Sequence, residues 1–523
     1  ANRQKKRDFT RLPLLPASPL LPSFRRPPPP PAMAHHGLLP SLFLLLLFVS
    51  ASAGTGDEAH VSAVIADKGL AFAKDVLIGE AVRSLTPLRL PGAEKSIRVP
   101  FLGGIRATVS NITLFHLDVG DDSVIRPGDS GLVVVASGIS ANISMAWSYS
   151  YHSWYFGPLE ISDSGTASIL VQGMEVGITM EIKNYNGSLA LNVSQCGCYV
   201  KNLDISLDGG ASWFYQGFIN AFEDDIRAAV EKVIPENIIG STSKLDSFLQ
   251  GLPRSVSLDN VTALNMTFVN DPQYGNSSIE FDINGLFASA VPKTSNLQKH
   301  PMLLSCGGAS NMLLLSLDEA VFNSALDVYY KADSMHLVVD KIPDQSLLNT
   351  AGWKFIIPRL YRSYPNDDMV LNISMASAPI MRIASETIGA TINADMIIDV
   401  LHGTETIPVA CISVVVSASG VVEASGNKVY GRVELDDFSL SLKWSKIGNI
   451  HMSLIQGVIW VFLNTACMPY VNSRLGHGIV LPVVHGFTLK DVYVVTSAEQ
   501  LTLCSDIAFA NNVSRLASLP VLW

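Results

Sequence analysis

The chain has 523 residues, 36 Lys and Arg against 46 Asp and Glu, and 48% hydrophobic residues at a mean hydropathy of +0.30. Such an acidic balance argues against a partner recognised through nucleic-acid phosphates, and the length predicts two large domains rather than one. No apolar run after residue 53 reaches spanning length, so the high apolar content predicts an unusually large buried surface or an enclosed apolar cavity.

Taken in chain order, residues 1–32 are basic and proline-rich, ending in five prolines at 27–31, with no periodicity that could bury a face. They read as a leader lying upstream of the true start, unstructured. Residues 33–53 read as a signal peptide: an apolar run over 38–49 is followed by Ala51-Ser52-Ala53, the small-x-small pattern of a signal-peptidase site. Seven basic residues and one acidic residue fall within 1–53. The expected mature chain, from Gly54, therefore keeps 29 basic and 45 acidic side chains, a formal charge of about −16.

Secretion predicts glycosylation at N-x-[S/T] sequons, which occur at Asn111, Asn142, Asn186, Asn192, Asn260, Asn265, Asn276, Asn372 and Asn512. It also permits disulfides among Cys196, Cys198, Cys306, Cys411, Cys467 and Cys504, with connectivity open. Cys196-Gly-Cys198 lacks a second C-x-C or a nearby His pair, so neither a metal site nor a cofactor is expected.

The elements that follow alternate between few helices and many strands. Residues 66–85 carry Leu70, Ala73, Leu77, Ala81 and Leu85 on one helical stripe, stopped by Pro87. Alternating polarity then predicts strands over 106–118, 131–145, 161–183 and 187–193. A second helix spans 212–233, with Phe218, Phe222, Ile226, Val230 and Val233 among its apolar positions. Residues 287–301 hold Pro292 and Pro301 without periodicity and read as a linker between an N-terminal domain, 54–286, and a C-terminal one, 302–523.

The second half repeats the pattern. A helix from Ser316 to about Ala332 opens on Ser316-Leu-Asp-Glu319, which reads as a capping box. Strands are predicted over 369–376, 387–400, 408–422, 428–444 and 492–503. The last helix, 453–466, is apolar nearly all round and should be the most deeply buried, with Pro469 bending or ending it. The fold expected is a duplicated α+β unit with strongly curved antiparallel sheets.

Several segments in this order resemble one known family. They are Asp67-Lys68-Gly69-Leu70-Ala71-Phe72-Ala73, then 196–205 followed by 213–234. Closer still are Gly431-Arg432-Val433-Glu434-Leu435-Asp436-Asp437-Phe438 running on to Lys443, and Gly478-Ile479-Val480-Leu481-Pro482 continuing to Cys504-Ser505-Asp506-Ile507. Over residues 61–510 the chain resembles the bactericidal/permeability-increasing and lipopolysaccharide-binding family, most of all its plant branch. The resemblance implies two elongated antiparallel β-barrels, each with two helices, joined by a central sheet, and apolar pockets holding phospholipid acyl chains. It also implies phospholipid or lipopolysaccharide as partner, an extracellular monomer, and a role in innate defence. On the first-helix segment, Leu70, Phe72 and Leu77 are candidate lipid contacts.

Two departures stand out. Family members bridge a cysteine in the segment matching Cys196–Cys198 to one just after the next helix, yet residues 231–241 contain no cysteine. Animal antibacterial members carry a lysine-rich hairpin at the tip of the first barrel, whereas the matching stretch here, 144–156, has no Lys or Arg. It is aromatic instead. Trp147, Tyr149, Tyr151 and Tyr155 alternate onto one strand face, with His152 and Trp154 on the other. These rings, Trp154 included, are candidates for contact with a membrane or micelle surface; cross-strand pairing, or cover over the barrel end, is the competing reading.

Gly128-Asp129-Ser130-Gly131 echoes a serine-protease nucleophile loop but lies behind Pro127, in a turn-forming context. No G-x-S-x-G elbow, H-E-x-x-H helix or phosphate loop occurs. A lipid-binding protein that is not an enzyme is the primary reading; a secreted acyl-ester hydrolase and a structural glycoprotein are the alternatives.

Overall fold

The computed structural model describes residues 58–99, 103–153, 159–208, 212–288, 306, 311–342, 345–481 and 487–509. The expected leader and signal peptide, Asn512, and most of the expected linker lie outside these residues. The fold is α+β, with sheets that are antiparallel throughout.

The strand Gly131–Ser153 shows how the sequence builds the first half. Ile139, Ala141, Ile143, Met145, Trp147 and Tyr149 are buried at every second position, while Ser140, Asn142, Ser144, Ala146 and Ser148 between them are more exposed. This two-residue period turns one face of a long strand inward. The strand pairs with Leu159–Tyr185 and Gly103–Asp118, and register shifts near Ala136, Ile139 and Ser110 bend the ladders. Eight strands between Leu88 and Asp208 form the curved sheet. Helix α1 (Asp67–Leu85) lies at its base, and α2 (Ser212–Gln250) closes it into a barrel.

α2 runs well past the expected end at 233. Pro235 is accommodated because its neighbours Ile234 and Ile238 stay packed in the core, so burial outweighs the lost backbone hydrogen bond. Tertiary packing carries the helix past Pro235, and it ends only before Gly251, two residues ahead of Pro253, where the Gly251 N–H donates to the Ser247 carbonyl at 3.0 Å.

A six-stranded central sheet follows the order Gln273–Tyr274, Ile279–Ile283, Val61–Ile65, Leu313–Asp318, Gln500–Phe509 and Phe487–Ser497. Val61–Ile65 pairs on one side with Ile279–Ile283 and on the other with Leu313–Asp318, so both halves of the chain share this sheet. Cys306 and Cys504 form a disulfide that pins the start of the second half onto it. The first two residues of the expected linker, Phe287–Ala288, are a short strand against Ala263–Asn265.

The second half repeats the plan. Helix α3 (Glu319–Lys331) does not open on a Ser316 capping box: Asp318 caps it, its carboxylate accepting from the Ala320 N–H at 2.8 Å. Ser316 sits instead on the central sheet with its Oγ 3.1 Å from Thr502 Oγ1, and Glu319 is drawn to the Ile383 N–H and Arg382. A second curved sheet of seven strands starts with His336–Val339, and a short α4 (Pro358–Ser363) lies in the chain between that strand and the other six. Helix α5 (Met452–Phe462) then lies over this sheet and passes through a π-helical turn, Leu463–Cys467, into α6 (Met468–Gly476). Pro469 falls in the first turn of α6, directly after the π-helical turn, and does not end the helical segment.

α5 is not the deeply buried helix its composition suggests. Ile455, Ile459, Phe462 and Leu463 face the core, but Leu454 is 57% and Trp460 54% exposed. The second sheet is wide enough to cover one face of the helix only.

Candidate functional site

Two of the molecule's apolar clusters are closed barrel cores. In the first, Phe218, Phe222, Ile226, Val230 and Ile234 of α2 are all fully buried against the sheet. In the second, α5 packs on Met396, Ile398, Ile412 and Val414, with Trp353 and Leu348 behind them. A cavity of about 10 Å³ remains there, lined by Ile342, Trp353, Leu371, Met396, Ile459 and Phe462 among others. That is room for about one water, and its lining is apolar.

Two further clusters lie where each barrel meets the central sheet, and these are built differently. At the first junction Leu70, Ile125, Leu132, Val134, Met180 and Ile279 are buried, but Leu77, Ile178, Leu191, Val193, Tyr274 and Phe281 are only partly covered. α1 crosses this junction. Beyond Leu70 and before Leu85, its apolar residues, including Phe72, Val76, Leu77 and Ile78, stay half-exposed. The second junction matches it: Ile383, Ile388, Leu501 and Leu503 are buried, and Met381, Val422, Val429, Leu481 and Val494 are incompletely covered. Each junction therefore presents apolar side chains that the described residues leave only partly covered. Water cannot satisfy such a surface; an acyl chain can.

Of the residues singled out in the sequence, Leu70 and Leu77 are thus brought together at the first junction, whereas Phe72, half-buried on α1, is not part of that cluster. The second junction escaped the sequence reading. Its signal was the alternation on strands 387–400 and 408–422, transposed through the internal repeat.

The aromatic hairpin requires a correction. Trp147, Tyr149 and Tyr151 do share a face, but that face points into the barrel: Trp147 is 1% exposed, Tyr149 is buried and Tyr151 is half-buried against the same core. Trp147 stacks parallel to Tyr149 and meets Phe218 of α2 edge-on at 6.0 Å. Its Nε1–H donates to the Thr166 carbonyl at 3.0 Å. Opposite it stands Gly165, where a Cβ would lie 2.8 Å from the indole and 2.5 Å from the Asp208 carbonyl, so the glycine makes room for the ring. Burial, followed by the charge of Asp163, pushes the Tyr149 phenol up. A membrane-facing surface built on Trp147 and Tyr149 is excluded by this packing; Trp154 and Tyr155 lie outside the described residues.

The protease-like tetrapeptide is a tight hairpin. Gly128 pairs with Gly131 across Asp129-Ser130, and Gly131 has φ +123° with its would-be Cβ 2.3 Å from the Met180 carbonyl. Among the described residues no group of three or more His, Cys, Asp or Glu is placed to hold a metal. Cys196, Cys198, Cys411 and Cys467 are thiols, and burial raises Cys198 and Cys467 to about 12. Of the sequon asparagines, Asn111, Asn186, Asn192, Asn260 and Asn276 are exposed, and Asn142, Asn265 and Asn372 are half-buried.

Two helix-closed barrels sharing one central sheet, each with an unfinished apolar junction, define a duplicated tubular class of protein. The sequence profiles of the LBP / BPI / CETP family match residues 69–252 with the N-terminal domain and 256–509 with the C-terminal domain, and the chain belongs to that family. A putative BPI/LBP family protein of Arabidopsis thaliana is 47% identical over 478 residues, covering 91% of this chain and 96% of the relative. The lipopolysaccharide-binding protein of Bos taurus is 23% identical, covering 90% and 98%. The crystal structure of a lipopolysaccharide-binding protein superposes with a TM-score of 0.58 at 23% identity, covering 86% of this chain and 99% of that one, a match of fold.

Proposed function

We propose that the protein is a secreted, N-glycosylated lipid carrier, not an enzyme, that holds the acyl chains of phospholipid-like molecules at the two barrel–sheet junctions. Its role is binding of bacterial lipopolysaccharide in innate defence, as an extracellular monomer. The observation that carries this reading is that partly covered apolar side chains outnumber buried ones at both junctions, whereas buried ones predominate in the two barrel cores. Each CH₂ group seated there contributes roughly 0.8 kcal/mol. Recognition runs through acyl chains rather than phosphate clamping, since residues 144–156 offer no Lys or Arg. The lipopolysaccharide assignment is supported by what the animal relatives are named for, and secretion by the apolar run over 38–49 with five exposed sequons.

Native mass spectrometry of the purified protein tests it. Bound phospholipid is expected to co-purify, with lipopolysaccharide competing for the same capacity, and Leu77→Asp is expected to remove the first-junction share. A delipidated protein that takes up no phospholipid, or uptake indifferent to Leu77→Asp, would overturn the assignment.

A further inference from the structure

The outward face of α5 is the least explained surface of the molecule. Contrary to the expectation that nothing after residue 53 reaches spanning length, the helical segment from Met452 to Gly476 is long and apolar enough to cross a membrane by length and composition, and only a third of its most apolar stretch is buried. It does not leave the protein, because Ile455, Ile459, Phe462 and Leu463 are locked into the second barrel core. What remains outside is Leu454, Gly457 and Trp460, with the uncharged polar Ser453 and Gln456 beside them. A Cβ built on Gly457 would meet nothing within 4 Å, so no other part of the described chain covers this face. Exposed apolar surface of this kind marks an interaction site more often than an accident.

The neighbourhood of its N-terminal end is aromatic and basic. Phe355, 90% exposed, is the most exposed large apolar residue described. Lys354 lies over its ring at 5.8 Å and over Tyr361 at 5.2 Å, and Lys446 lies over exposed Trp444 at 5.7 Å. Arg359 of α4 reaches the backbone at Gly448, four residues before α5: a Cβ there would sit 2.6 Å from its Nη1. Lys354, Arg359, Arg362 and Lys446 have no ion-pair partner among the described residues. Two acids of this region are already engaged, Asp367 with His402 and Asp368 with Asn349, while Asp340 and Glu405 are exposed acids.

The sequence carries a second, independent mark. Between Asp437 and Asp491 there is no acidic residue, in a chain that has 46 of them. The basic residues in that interval are Lys443, Lys446, Arg474 and Lys490, of which Lys443 is held by Asp395 at 2.5 Å. At the far end of the helical segment Arg474 lies over exposed Tyr470 at 5.5 Å. An acid-free apolar helix, flanked at both ends by a ring under a cation, has the chemistry of a bilayer interface: rings sit at headgroup depth and cations meet anionic headgroups.

We propose that the outward face of α5, with Phe355 and the cations Lys354, Arg359 and Lys446 at its N-terminal end, docks the protein on an anionic lipid surface. This goes beyond the carrier reading and does not depend on it. The junctions would hold lipid molecules, whereas this face would hold the protein against the sheet from which they come. It also moves membrane contact from the hairpin of the first barrel to the helix side of the second.

Flotation with vesicles tests the proposal on the full secreted protein, using phosphatidylcholine vesicles with and without about one-third phosphatidylserine. Wild type is expected to bind the anionic vesicles at least tenfold better. Trp460→Gln with Leu454→Gln should reduce binding about tenfold. Arg359→Glu with Lys446→Glu should reduce binding to anionic vesicles more than about twentyfold, since each cation near such a surface is worth about fivefold. Both variants should keep the lipid load seen by native mass spectrometry, which separates failure here from failure of the junction assignment. Phe355→Ser, at a site with almost no packing to lose, guards against misfolding and should itself weaken binding several-fold. Equal flotation by all variants would sink the proposal. So would light scattering that shows a dimer dissolved by Trp460→Gln without vesicle binding, for the face would then belong to a second copy.

Discussion

The two barrels solve one packing problem with opposite helices. In the first, α2 alternates a solid aromatic and aliphatic stripe with a charged outer face carrying Glu223, Arg227 and Glu231, and five stripe residues are sealed against the sheet. Arg227 and Glu223 pair along the helix at 2.9 Å, and Glu231 accepts the Val200 N–H, tying the outer face to the sheet edge. In the second, α5 contributes a comparable inner stripe but carries no charge at all on its outer face. Inner packing alone would have been served equally well by a polar outer surface, which is the ordinary solution for a helix on a sheet. The uncharged exterior of α5, with Leu454 and Trp460 exposed on it, is therefore not a requirement of the fold.

Two tryptophans turn this comparison into measurement. Trp147→Ala removes a fully buried indole, its hydrogen bond to Thr166 and its contact with Phe218. It should cost about 3–5 kcal/mol in denaturant unfolding. Trp460→Ala removes a ring from the exposed face of α5 and should change stability by less than about 0.5 kcal/mol. Comparable losses for the two would show that α5 is covered in solution and erase the contrast. Removing the disulfide with Cys306→Ser and Cys504→Ser should fall between these, about 2–4 kcal/mol. Because the bond lies on the sheet shared by both halves, both barrels should unfold earlier, together; a change confined to one would mean that the central sheet does not couple them.

What could be read from the sequence follows the same line. Period-two and period-3.6 patterns located most strands, the start of α1 and the inner stripes of α2 and α5, because one-sided burial imposes those periods directly. Segment order carried the duplication, and the family resemblance carried the two-barrel expectation. Facing was harder. Alternation places Trp147, Tyr149 and Tyr151 on one side of a strand but does not say which side is inside; that was decided by Gly165 and Phe218, one paired across the hairpin and the other arriving from α2. The cap of α3 was misplaced because Ser316 satisfies a capping pattern yet is claimed by a strand through Thr502. α5 was read as buried because an all-round apolar helix is normally covered, and composition cannot reveal that the sheet beneath it covers only one face. The junctions depend on Leu70 and Ile279 meeting across more than two hundred residues, which no local pattern encodes.

Each barrel also holds a half-buried thiol beneath or beside its helix, and the pair gauges how firmly each helix is seated. Cys198 packs against the first core near Glu231 of α2, and Cys467 sits in the π-turn after α5 against the second. Burial raises both from 9.0 to about 12, with Glu231 and Cys196 adding to the effect at Cys198. The thiolate is the reactive form, so at pH 8 both should alkylate roughly a thousandfold more slowly than a thiol of ordinary acidity. Their rates should keep rising as pH is raised through 9 rather than levelling there. Cys467 should label faster than Cys198, since α5 is held by one face and α2 by a continuous stripe with polar ties at its edge. Iodoacetamide labelling read by peptide mass spectrometry resolves the two sites. Equal rates, or a plateau near pH 9 at either cysteine, would mean that both helices open alike and that the difference between the barrels is confined to their outer surfaces.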